Sequence, residues 1–130
     1  MSERIETTAI RNLIHNEEYC RKVLPFIKEE YFTDRLEKLI FTEIYGFVNK
    51  YNNLPTKESL SIEMNTNKGV SEGEYKKMNE IISSLNPEPI NLDWLVETTE
   101  TWCKDRAIHN AILGGIQIID GKDKEHTPEY

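Results

Sequence analysis

Three histidines, two cysteines and a surplus of carboxylates are the residues of this chain whose types could carry chemistry. A bound metal needs His, Cys or acidic ligands brought together on one helix face or across one turn. His15, His109 and His126 each lack a second such ligand at that spacing. His15 therefore reads as a surface residue at a helix end, His109 as part of a packing face, and His126 as a residue of a polar tail. Cys20 and Cys103 lie far apart and form no CxxC. That favours two free thiols in a reducing compartment over a disulfide. Cys103-Lys104-Asp105 offers a thiol without a histidine to activate it, so a structural thiol beside Trp102 is expected. The acid pairs Glu17-Glu18 and Glu29-Glu30 read as solvated faces. No GxxxxGK[ST], GxGxxG or GxSxG sequence occurs, so neither a phosphate cradle nor a nucleophile elbow is expected. The residues point to no catalytic, metal or cofactor site.

The charge balance narrows the partners. The net charge is −7, from 23 acidic and 16 basic residues, and the only adjacent basic pairs are Arg21-Lys22 and Lys76-Lys77. A domain that grips nucleic acid usually presents a basic patch, so direct DNA binding is disfavoured. Apolar residues make up 38% and charged residues 30%, which suits one soluble globular domain rather than a disordered chain. No apolar run approaches the ~20 residues of a membrane span. The longest, Ala111 to Ile119, is interrupted by Gly114, Gly115 and Gln117. The polar start, Met1 to Glu6, does not read as a signal peptide.

The periodicity is helical throughout, and an all-α fold is predicted: a compact bundle of about five short helices over residues 1–90, then one long protruding helix over 91–120. A polar tail follows over 121–130. The first helix runs from about Glu3 to His15, with Ile5, Ala9, Leu13 and Ile14 at helical spacing. A second, Glu17 to Ile27, turns Tyr19, Val23, Phe26 and Ile27 inward and is ended or bent by Pro25. Tyr31-Phe32 reads as an apolar plug. Thr33 or Asp34 caps a third helix to about Tyr51, whose stripe is Leu36, Leu39, Ile40, Ile44, Phe47, Val48 and Tyr51. Asn52 to Pro55 is a turn, and Thr56 caps a short helix to Met64 with Leu60 inward. Ser71 and Glu74 have capping-box spacing before a helix to Leu85 that carries Tyr75, Met78, Ile81 and Ile82. The predicted core is built on Leu13, Phe32, Leu39, Ile40, Ile44, Phe47, Val48, Ile81, Ile82 and Leu85. Asn86-Pro87-Glu88-Pro89 stops the last helix of the body and begins a hinge that ends at Asn91.

The long helix from Leu92 to Ile119 carries the functional expectation. At 1.5 Å per residue it is about 42 Å long, against a diameter of about 30 Å for a body of this size. Part of it must project. One set, Leu95, Thr98, Trp102, His109, Ile112, Ile116 and Ile119, follows spacings of 3, 4 and 7. A second set, Ala107, Ile108, Ala111, Leu113 and Ile118, covers the opposite side. From Ala107 onward the helix is apolar nearly all round, as expected of a helix buried on more than one side. Gly114-Gly115 inside a helix costs about 1 kcal/mol per residue relative to alanine, which suits close approach of another backbone, or a kink. The candidate interface is Trp102, Ile108, His109, Ala111, Ile112, Leu113, Gly114, Gly115, Ile116 and Ile119. Its natural complement is a second antiparallel helix of a longer parent chain and another copy of the hairpin so formed. A competing motif, Thr56–Met64 followed by Ser71–Leu85, has the outline of a helix-turn-helix. The charges of its second helix, Glu72, Glu74, Lys76, Lys77 and Glu80, make it a poor reader of DNA.

The order and spacing of several short stretches carry a resemblance. They are Leu13-Ile14, Tyr19 with Lys22-Val23-Leu24-Pro25, Glu30-Tyr31-Phe32, Val48-Asn49-Lys50-Tyr51, Leu54-Pro55-Thr56 and Glu74-Tyr75. The strongest is Asp93-Trp94-Leu95-Val96-Glu97-Thr98-Thr99-Glu100, continuing through Asp105-Arg106-Ala107 to Asn110-Ala111. With these the chain resembles the N-terminal domain of the DnaB-like hexameric replicative helicases of T-even-type bacteriophages. The resemblance implies a non-catalytic helical body and hairpin whose copies pair into a collar, a trimer of dimers, in the host bacterial cytoplasm. It implies as partners other helicase subunits, primase and loader proteins of the replisome, with DNA engaged only through the assembled ring. ATP with Mg, and the motor that uses them, would belong to a separate C-terminal domain absent from these residues. Asp93 to Ile119 would be the first hairpin helix, and the chain an excised fragment without the second.

Overall fold

Local capping sets where each helix begins. The computed structural model describes residues 4–67 and 69–119, with side chains through residue 115. Asn16 accepts from the Tyr19 amide and opens α2, Glu17–Val23, directly after α1, Ile5–His15. Asp34 accepts from the amides of Leu36 and Glu37 and opens α3, Arg35–Tyr51. Thr56 and Ser59 form a reciprocal box at α4, Lys57–Asn65, as Ser71 and Glu74 do at α5, Glu72–Ser84. Asn91 accepts from the Trp94 amide at the start of α6, Leu92–Ile119. Asn52 ends α3 in the left-handed region, φ 54°, ψ 38°, where asparagine is tolerated better than most residues. Every regular element among the described residues is helical.

Two helix ends differ from the periodic reading. The predicted start of α1 at Glu3 lies outside the described residues. The second helix stops at Val23 rather than Ile27, because Pro25 has no N–H to continue the ladder. The chain turns there: Ile27 swings inward to 2% exposure, but Phe26, expected inward, is 50% exposed. A single 3-10 turn, Glu29–Tyr31, then delivers Tyr31 and Phe32 into the core, as their pairing suggested.

The core collects Ala9, Ile10, Leu13 and Ile14 of α1, Tyr19, Cys20 and Val23 of α2, Ile40, Phe41 and Ile44 of α3, Leu60 and Met64 of α4, and Met78 and Ile82 of α5. Leu85, just beyond α5, and Leu95 of α6 join them. Leu13, Phe32, Ile40, Ile44, Ile82 and Leu85 are thus core residues, while Leu39, Val48 and Ile81 are partly buried against it. Phe47 is a correction. It is half-buried at the rim and pairs with Tyr51, ring centroids 4.7 Å apart, and Tyr51 itself is exposed. The buried line of α3 instead runs Glu37, Ile40, Phe41, Ile44. A charged residue in that line hid it from a hydrophobicity count. Glu37 is accommodated because Arg4 Nη2 lies 2.8 Å from Oε1 and the Thr7 hydroxyl donates to Oε2 at 2.7 Å.

Candidate protein interface on the last helix

The first three turns of α6 belong to the body. Leu95, Thr99, Trp102 and Cys103 are buried, and α6 packs on α1, α2 and the 3-10 turn. The Tyr19 and Thr99 hydroxyls share a buried hydrogen bond of 2.8 Å, which ties α2 to α6. The Trp102 ring meets Phe32 edge-on at 5.2 Å and Tyr31 at 6.2 Å. Edge-to-face pairs of this kind satisfy the ring quadrupoles as well as burying area. Trp102, expected at the interface from its spacing, is instead a core residue 7% exposed. Its spacing with His109 and Ile112 is real, but the body covers its end of the helix. Beyond it, Arg106 and Asn110 are half-buried on the same side, and the Asn110 amide donates to the Glu30 carbonyl at 3.3 Å.

The remaining interface candidates emerge together. Ile108 is 59% exposed, Ile112 57% and Leu113 46%, and Ala107, His109 and Ala111 are exposed among them. Apolar side chains of this size on consecutive turns of a projecting helix mark a contact surface rather than ordinary scatter. Gly114 and Gly115 follow, and a Cβ built on either meets no atom within 4 Å. The glycine pair therefore faces open space, and nothing in the body requires it. The backbone of α6 continues to Ile119, while the side chains of Ile116 and Ile119 lie outside the described residues, as do residues 120–130 with the predicted tail and His126. A second exposed aromatic, Trp94 at 54%, sits on the first turn of α6. Sequence reasoning placed it in the resemblance but assigned it no surface.

The groups that could react are held inert. Burial pushes the Cys20 and Cys103 thiols up to about 11, so neither is a thiolate near neutral pH. Burial likewise raises Tyr19 well above the usual phenol range. His15 is exposed, and its Nε2 donates to the Leu85 carbonyl at 2.6 Å, closing the end of α5 against α1. Among the described residues no three His, Cys, Asp or Glu side chains gather as a metal site. Two charged residues of the helix-turn-helix candidate, α4 and α5, have partners within the fold. Arg35 of α3 reaches Glu74 at 2.6 Å, and Lys57 donates to the Ser83 carbonyl and to Asn86. No helix among the described residues is long and apolar enough to cross a membrane.

An all-α body that carries an exposed, apolar helical arm is the class of protein that this fold and surface define. No family model matches the chain. It is similar to the DnaB-like replicative helicase of Enterobacteria phage T4, with 33% identity over 109 residues, 84% of this chain. The chain spans 23% of that helicase's length. The resemblance to a T-even-type DnaB-like helicase is thereby shown, and the match supports a helicase N-terminal-like domain.

Proposed function

We propose that this chain is the collar domain of a phage replicative DNA helicase, a non-catalytic module that pairs subunits and helps the ring assemble. The single observation that supports this is the exposed apolar arm: Ile108, Ile112 and Leu113 stand in solvent beyond Cys103, the last residue of the helix buried in the core. Full burial of such a side chain contributes about 1.5–3 kcal/mol, so three of them strongly favour a partner helix. Other copies of the subunit are the proposed occupants of the arm, with a second hairpin helix alongside. Primase and loader proteins are proposed to dock on the assembled collar, and DNA to be held only by the ring. ATP and Mg are assigned to a motor domain elsewhere in the parent helicase, and the setting is the host bacterial cytoplasm. The test is light scattering of the native gene product, wild type against Ile112→Asp and Ile116→Asp. Smaller assemblies in both variants, with unchanged helical circular dichroism, are expected. Identical molar masses in wild type and variants would defeat the proposal.

A further inference from the structure

We infer that the 3-10 turn Glu29–Tyr31 is a latch that clamps the base of the arm and sets how much of α6 is free to move. The turn itself is braced. Phe32, immediately after it, packs on Phe41 of α3 at 5.0 Å, and the Thr42 hydroxyl lies 2.9 Å from the Glu29 carboxylate. From that brace it holds α6 at two levels. The lower level is the aromatic contact of Tyr31 and Phe32 on Trp102. The upper level is the hydrogen bond from Asn110 Nδ2 to the Glu30 carbonyl, and Arg106 Nη2 lies 3.5 Å from Asn110 Oδ1.

Trp102, Arg106 and Asn110 are spaced i, i+4, i+8, so they lie on one face of the helix, and the two levels are about 12 Å apart along its axis. Trp102 and Cys103 are the last residues of α6 buried in the core. Asn110 extends the clamped length by about 10 Å beyond Cys103. The two levels differ in strength. The lower is apolar, broad and fully packed. The upper is one neutral, solvent-exposed hydrogen bond, which opens readily without disturbing the core. With it open, Cys103 is the last residue of α6 anchored in the core; with it closed, the free segment begins after Asn110. The arm can therefore stiffen or loosen while the body stays folded. The consequence for assembly rests on the function proposed above, but the latch does not.

The test uses the chain itself with spin labels at Lys50→Cys and Leu113→Cys, read by pulsed dipolar spectroscopy, together with amide exchange. Buried Cys20 and Cys103 stay unlabelled. Asn110→Asp removes the donor and faces a carboxylate toward the Glu30 carbonyl; Asn110→Ala removes it while raising intrinsic helix propensity. Both variants are expected to broaden the label distance and to speed exchange of amides 107–113 by about three- to tenfold, the weight of one hydrogen bond. Exchange of α1–α3 amides should not change. Unchanged distance widths and unchanged exchange in both variants would overturn the latch, even if Ile112→Asp still disrupted assembly. Broadening in both would support it even if assembly proved independent of the arm.

Discussion

Truncating Trp102 to alanine should unfold the junction between arm and body. The side chain is 7% exposed, meets Tyr31 and Phe32 in T-shaped ring pairs, and belongs to the core that also holds Leu95 and Cys103. Large-to-small changes at an aromatic core position cost about 3–5 kcal/mol, from lost transfer energy and the cavity left behind. The site has little freedom to collapse, because the opposing Tyr31 and Phe32 are fixed by the braced turn. With a urea slope of roughly 1.5 kcal/mol per molar for a domain of this size, the midpoint should fall by about 2–3 M. Trp102→Phe separates burial from hydrogen bonding. The indole N–H meets no protein acceptor, so phenylalanine loses some contact area but also removes a buried, unpaired donor worth roughly 1–3 kcal/mol. The two effects oppose, and Trp102→Phe should lie within about 1 kcal/mol of wild type. Urea titration followed by far-ultraviolet circular dichroism reads both. An alanine variant as stable as wild type would refute the assignment of Trp102 to the core and return it to the exposed surface.

Other outcomes follow from the same contacts. Tyr19→Phe and Thr99→Val should each cost about 1–3 kcal/mol, because each leaves a buried hydroxyl or its partner unpaired, and the double variant should cost clearly less than the sum, as a double-mutant cycle measures. The Arg35 side chain, with the Ser71 amide, holds the Glu74 carboxyl down to about 2 from an ordinary 4.5. That contribution is complete above the unfolded value and is lost as pH falls from about 4.5 through 2, so Glu74→Gln should flatten the acid limb of a pH–stability curve. The buried thiols run in the opposite sense. Their contribution is complete below the ordinary value of 9 and is lost as pH rises through about 11, and native thiol labelling at mildly alkaline pH should be far slower than in urea. Asn52→Val should destabilise by about 1–2 kcal/mol and Asn52→Gly should not, since only the β-branched residue resists a positive φ.

The helices and their starts were legible because capping is local. A serine, threonine or aspartate offers its side-chain oxygen to amides two or three residues ahead, and that requirement is written in consecutive residues at Asp34, Thr56 and Ser71. The apolar plug Tyr31-Phe32 was legible for a similar reason: two large side chains in a polar stretch have nowhere else to go. Which face of α3 is inward was less so. Two overlapping stripes share Ile40 and Ile44, and the choice between them fell to Arg4 and Thr7, more than twenty-five residues away in sequence, which make a buried Glu37 tolerable.

The arm divides along the same line. Composition and spacing alone determined that α6 is one long helix, apolar around its far half, and too long for the body that precedes it, because helix rise and residue type need no tertiary knowledge. Only the tertiary structure decided where the body lets go. It drew Trp102 into the core, tied Asn110 to a three-residue turn, and left Ile108, Ile112 and Leu113 in solvent. Periodicity reports which residues share a face of a helix; what lies opposite that face depends on elements brought together by the packing of the whole chain.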